Sequence, residues 1–310
     1  MPTVRLGYFL PQMGPAAGPD AILSVARRAE ELGYDSLWVT ERTLFPLEPS
    51  VPYVASADGS LPDVYRDVID PLTVLAFVAS ATERVTIGPS VLNLPWYNPT
   101  LLARSLTALD VLSKGRLKVG FGMGWSPDEY EAAGANWHRR GKRADENLEA
   151  LLAIWTTDPV EYEGSEFNIP KSVIGPKPVQ QPHPPIYMAA YTEAAMDRVA
   201  RFADGWMPVG VPLDGMTAML AGIRQMAAGH GRDGDAIELI VRANVWVTDE
   251  PLGDDRFIFT GTPDQIRADV EASREAGAAE LDFDITFDPN ARTADDFLRG
   301  LETWMEVATK

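Results

Sequence analysis

Strand-like and helix-like stretches alternate along this chain from one end to the other. "VRLGYFL" (4–10) has strand character, and residues 20–33 put Ala21, Val25, Ala29 and Leu32 on one helical face. Further strands are expected at "DSLWVT" (35–40), "RVTIGPSVLNL" (84–94), "RLKVGFG" (116–122), "PIYMAAY" (185–191), "GWMPV" (205–209), "IELIVRANVWV" (237–247) and "AELDFDIT" (279–286). The intervening patterns predict helices over 71–82, from Pro99 to a stop at Gly115, over 128–155, 193–203 and 214–228, from Thr262 onward, and over 294–308. Thr262 suits the N-cap there, Pro263 the first turn and Gln265 the capping-box position. Eight strands, each followed by a helix and with no break in composition, fit a single α/β domain over 1–310. The expected architecture is a (β/α)8 TIM barrel with loop insertions, not an open sheet. Two connections are long: 41–70, and the proline-rich 158–184, which has room for a small hairpin.

In a barrel one face of each strand meets helices and the other fills the interior. Asp282 and Asp284 share a face of the last strand, Arg242 and Asn244 a face of the seventh, Arg5 and Gly7 a face of the first. Closure makes these strands neighbours. Arg5, Arg242, Asp282 and Asp284 are therefore expected to meet inside as a charge-balanced cluster, because unpaired interior carboxylates carry a large desolvation penalty.

The bulk numbers exclude several functions. A net charge of −18 argues against nucleic acid or anionic membrane as partners. With no cysteine there are no disulfides, thiolate ligands or cysteine nucleophiles. No apolar run reaches the roughly 18–20 residues of a membrane span. "MPTVRLGYFLP" does not read as a signal peptide, so a cytoplasmic location is expected.

Barrel chemistry sits at the C-terminal ends of strands. Those ends are aromatic and apolar, with few titratable groups and no histidine. His138 and His230 fall in helical stretches and His183 in the proline-rich loop, so no metal set is expected. Such a rim suits a large organic cofactor that carries its own chemistry. In "LKVGFGMGW", Gly120, Gly122 and Gly124 lack the spacing of a dinucleotide fingerprint. By spacing alone they suit a phosphate-cradling turn or a plain packing turn equally.

"ELGYDSLWVTER", "TIGPSVLNLPWYNPTLLARSLTALDVLSKGRLKVGFGMGW" and "PKPVQQPHPPIYMAAYTEAAMDRVARFADGW" resemble the luciferase-like monooxygenase family of flavin-type oxidoreductases. The longer pattern through "GMGW" and "HRRG" resembles its branch that uses the deazaflavin coenzyme F-420, with FMN as the alternative cofactor. The resemblance implies a non-proline cis peptide at Ser90–Val91 supporting the flavin ring, with Asn93 beside it. It implies contact of Gly122, Met123, Gly124 and Trp125 with the cofactor chain, and a phosphate turn at Tyr191–Thr192. Where family members carry an acidic residue followed by histidine, this chain has Glu41-Arg42. These two are the candidate catalytic residues. Arginine cannot serve as a base near neutral pH, but it can stabilise an anionic deazaflavin or bind an anionic substrate. The expected activity is hydride transfer to or from a small organic substrate. The alternatives are an FMN-dependent monooxygenase and a non-catalytic cofactor-binding barrel. A homodimer is the expected assembly.

Overall fold

Hydrogen bonding between parallel strands joins both ends of the chain into one barrel. The structure, a computed structural model, describes residues 4–56 and 58–309. In chain order the strands are β1 (Arg5–Phe9), β2 (Ser36–Val39), β3 (Thr86–Pro89), β4 (Leu92–Asn93) and β5 (Val119–Gly122). The antiparallel hairpin β6 (Val160–Glu163) and β7 (Asn168–Ser172) comes next. Then follow β8 (Ile186–Met188), β9 (Gly205–Trp206), β10 (Glu238–Asn244), β11 (Trp246–Val247), β12 (Thr260–Gly261) and β13 (Glu280–Asp284). The main sheet runs β3-β2-β1-β13-β10-β9-β8-β5-β4, all parallel. Ile87 N–H donates to Arg116 O and Lys118 N–H to Ile87 O, each at 2.9 Å, which brings β3 against the start of β5. β3 and β4 are thus two halves of one barrel strand, interrupted at Ser90–Val91.

The helices α1 (Pro19–Leu32), α2 (Pro71–Ala79), α3 (Pro99–Leu112), α5 (Arg140–Thr156), α6 (Glu193–Phe202), α7 (Leu213–Gly229), α8 (Pro263–Glu275) and α9 (Ala294–Thr309) contribute buried apolar residues to the core, while the short α4 (Pro127–Ala132) buries Glu129 and Tyr130. The capping box at Thr262 and Gln265 forms as the sequence predicts. The single helix expected over 128–155 is instead split into α4 and α5. Gly134 takes a left-handed φ of 66° and Asn136 caps a 3-10 turn, so the chain bends before α5 begins. The long seventh strand also divides, its end leaving the barrel as β11 to pair with β12 at the mouth.

The expected four-residue charge cluster does not form. It separates into layers, because inward residues two apart along a strand lie a full layer apart along the barrel. Arg5 sits at the N-terminal pole, where its Nε pairs with Glu280 at 3.0 Å and its Nη2 with Glu238 at 2.8 Å. Lys118 Nζ reaches Glu280 at 2.5 Å, and Ser36 Oγ also donates to Glu280. At the other pole Arg242 pairs with Asp284 at 2.5 Å. Asp282, fully buried between the layers, has no hydrogen-bond partner for either oxygen among the described residues. Burial, followed by the charge of Glu280, pushes the Asp282 carboxyl well up, so it is held as the neutral acid. Burial also works against ionisation of Glu280, but the charge of Lys118 and the bonds from Lys118, Ser36 and Arg5 outweigh it and hold it below the usual carboxylate range.

These two neighbours should therefore respond oppositely to amide substitution. Glu280→Gln leaves Lys118 without its counter-charge, and Arg5 with Glu238 alone, and should cost on the order of 3–5 kcal/mol in urea unfolding. Asp282→Asn exchanges one neutral group for another and should cost much less. Equal losses for the two variants would refute the layered assignment.

Candidate active site

At the C-terminal pole the interrupted strand turns its break toward the barrel axis. The Ser90–Val91 peptide is cis, as the resemblance implies. Ser90 is buried, while Val91 stays half-exposed on top of an inner cluster of Phe9, Trp38, Tyr187, Met207 and Ile240. Two polar anchors fix this bulge. On one side Arg242 Nη1 donates to Ser90 O at 2.7 Å; its Nη2 reaches Asp284 and Thr40 Oγ1, its Nε donates to Asn244 Oδ1 at 3.1 Å, and its guanidinium covers the Phe9 ring. On the other side Glu41 accepts from the Asn93 N–H at 2.5 Å, from Asn93 Nδ2 at 3.1 Å and from the Tyr97 hydroxyl.

The three glycines are explained by this bulge. A Cβ on Gly120 would overlap Pro89 O, and one on Gly122 would run into Val91. Gly124, with φ 65°, lies between Asn93, Tyr130 and Trp96. A side chain therefore has no room at 120 or 122, which accounts for these two glycines by packing. Beside them Met123 O accepts from the Tyr130 hydroxyl, and Met123 Sδ lies 3.8 Å from Arg198 Nη1.

Arg42 occupies a different setting from Arg242. Its Nη1 pairs with Glu129 Oε2 at 3.0 Å, and the rings of Tyr65 and Trp125 each lie 4.8 Å from the guanidinium. Tyr53 packs on Trp125 at 5.1 Å, and Tyr65 on Phe287 at 5.7 Å. The long connection 41–70 builds this roof. It is tied down where Thr43 N–H and Oγ1 donate to Glu129, where Ser50 donates to Asp128, and where Ile69 N–H returns to Gln12 O. Tyr191 is half-exposed and its hydroxyl accepts from Val209 N–H at 3.1 Å. Thr192 caps α6 by accepting from Ala195 N–H at 3.3 Å. The first turn of α6 also carries Glu193, whose charge opposes an anion there.

Glu41, Ser90, Val91, Asn93, Gly122, Gly124, Arg42 and Trp125 are therefore brought to one pole. Sequence reasoning missed Tyr53, Tyr65, Tyr97 and Glu129. A first-turn acid such as Glu129 usually lies on a solvated helix face, and nothing in "SPDEYE" marks its burial. A cavity of about 570 Å³ opens at the opposite pole, bordered by Arg5, Lys118, Tyr187 and Glu238. Arg5, Lys118 and Glu238 are all paired with one another or with Glu280, which suits a structural role. Among the described residues no helix is long and apolar enough to cross a membrane.

The residues around the bulge fit a flat organic cofactor in two respects. Val91 gives an apolar, half-exposed platform, and the buried Trp96 Nε1 beside Gly124 has no hydrogen-bond partner among the described residues. Comparisons with known proteins agree with the architecture. A family model described as luciferase-like monooxygenase matches residues 4–252. The Mycobacterium tuberculosis protein Rv0953c is 35% identical over 83% of this chain and 93% of its own. The FMNH2-dependent dimethylsulfone monooxygenase of Pseudomonas putida is 31% identical over 58% of this chain and 49% of its own. Among solved structures, a monooxygenase from Streptomyces bottropensis superposes with a TM-score of 0.77 at 22% identity, covering 98% of both chains. An F-420-dependent secondary alcohol dehydrogenase superposes with a TM-score of 0.76 at 17% identity, covering 99% of this chain and 100% of that one.

Glu41 yields a pH test. Burial pushes its carboxyl up to about 7 despite the bonds from Asn93 and Tyr97, with the charge of Glu129 adding to the rise. The folded protein then binds this proton more tightly than the unfolded chain does. Stability should fall as pH rises from about 4.5 to about 7, by on the order of 3 kcal/mol from this group. Glu41→Gln should flatten that part of the stability–pH curve measured by urea unfolding. An unchanged slope in the variant would show that Glu41 ionises normally.

Proposed function

The chain belongs to the luciferase-like monooxygenase family, and from that footing we propose that it is an oxidoreductase using the deazaflavin coenzyme F-420 to transfer a hydride to or from a small organic substrate. The observation that supports a flat redox cofactor is the apolar bulge at Ser90–Val91, pinned by Arg242 and Glu41 and roofed by Tyr53, Tyr65 and Trp125; the sequence pattern through "GMGW" and "HRRG" is what favours F-420. When bound, a deazaflavin supplies the carbon that accepts or releases the hydride. The protein's own residues supply the setting. Val91 would support the ring, Asn93 and Trp96 would offer it polar contacts, and the start of α6 beside Tyr191 would offer N–H groups to a phosphate against the opposing charge of Glu193. Glu41 can hold or release a proton near neutral pH next to the bulge. The aromatic roof excludes water from the reacting atoms.

A second reading, an FMN-dependent monooxygenase, is favoured by the 31% identity to the dimethylsulfone monooxygenase of Pseudomonas putida. Fluorescence titration of the purified protein with F-420 and with FMN separates the two, and we expect tighter binding of F-420. Micromolar FMN binding with no detectable F-420 binding would overturn the assignment. Cofactor binding without turnover on a broad substrate panel would favour a non-catalytic carrier.

A further inference from the structure

Every guanidinium nitrogen of Arg242 has a partner, whereas Arg42 keeps one edge free. Its side chain is 6% exposed, and its Nε and Nη2 have no hydrogen-bond partner among the described residues. Leaving two such donors buried is costly for a folded chain. Nη1 is committed to Glu129, and aromatic rings lie against the group at Tyr65 and Trp125. What remains is the in-plane Nε–Nη2 edge, the one that receives a planar carboxylate through two parallel hydrogen bonds. The hydroxyl of Thr286 is also buried and unpartnered among the described residues, and it neighbours Phe287, whose ring packs on Tyr65.

We infer that this edge of Arg42 is the receptor for the carboxylate of a flat, aromatic or conjugated substrate. A planar receptor flanked by Tyr65 and Trp125 selects a planar ligand, and the neighbouring rings of Tyr53 and Phe287 extend that preference beyond the carboxylate. Glu129 fixes the guanidinium and leaves the receiving edge free. The roof is tied to the rest of the structure near its two ends. Among the described residues, the hydrogen bonds of 51–62 all stay within the connection 41–70, including Tyr53 N–H to Gly59 O at 2.9 Å and the Tyr53–Tyr65 hydroxyl pair at 3.2 Å. The inference deepens the oxidoreductase reading and rests on it for calling the ligand a substrate, but carboxylate binding itself needs no cofactor.

The test is calorimetric titration of the full-length protein with benzoate and with benzamide, first without and then with saturating F-420. We expect benzoate to bind and benzamide to bind about tenfold more weakly or not at all. Arg42→Gln should abolish the preference for benzoate. Arg42→Lys keeps a charge beside Glu129 but lacks the paired edge; it should fold with a near-parental melting temperature and bind benzoate about tenfold more weakly. Absence of benzoate binding, equal binding of the two probes, or parental benzoate binding in a folded Arg42→Lys variant would overturn the inference. So would a variant whose only change is the absorbance of bound F-420, since the edge would then serve the cofactor. Benzoate binding that depends on Arg42 in a protein with no affinity for F-420 would uphold the receptor and remove the cofactor assignment alone.

Discussion

The close approach of β5 to the interrupted strand β3–β4 governs the functional pole. At 120 and 122 this approach leaves no room for a side chain, because Pro89 O and Val91 occupy the space where a Cβ would stand. The glycines let the two backbones come together, and Val91 is thereby projected onto the barrel axis above Phe9 and Met207. Everything above that point is arranged around the bulge. Arg242 grips the carbonyl of Ser90 and Glu41 grips the amide of Asn93, one on each side of the break.

Charge is distributed along the barrel in layers that serve different ends. The N-terminal pole is a closed network, with Arg5, Lys118, Glu238 and Glu280 satisfying one another. The middle holds Asp282 as a neutral acid. At the C-terminal pole Arg42, Trp96 and Thr286 each keep a buried polar group without a partner among the described residues. The closed network favours stability, and the unpartnered donors of Arg42 and Trp96 at the C-terminal pole are where a ligand would bond.

Much of this was readable in the chain. The alternation of strands and helices, the Thr262–Gln265 capping box and the inward-facing polar set depend on local pattern, and local pattern survives folding. The resemblance supplied the position of the bulge, which no periodicity announces. What could not be read depends on distance across the fold. The stagger of β1 against β13 separates Arg5 from Asp284, and only the three-dimensional register reveals it. The burial of Glu129 follows from 41–70 folding back over α4, and the Tyr53–Tyr65 roof from the same connection. Gly134 and Asn136, within an otherwise helical pattern, are the local signals of the α4–α5 break, through the left-handed φ of the one and the cap made by the other.

A flat redox cofactor received over the Ser90–Val91 bulge, as proposed, would cover backbone at the C-terminal pole. Hydrogen–deuterium exchange with and without bound cofactor tests it directly. New protection is expected in the segments around 41–70, 90–97, 122–125 and 191–195, with the N-terminal pole near Arg5, Lys118 and Glu238 unchanged. Protection centred on the N-terminal cavity, with the bulge segment unaffected, would contradict it.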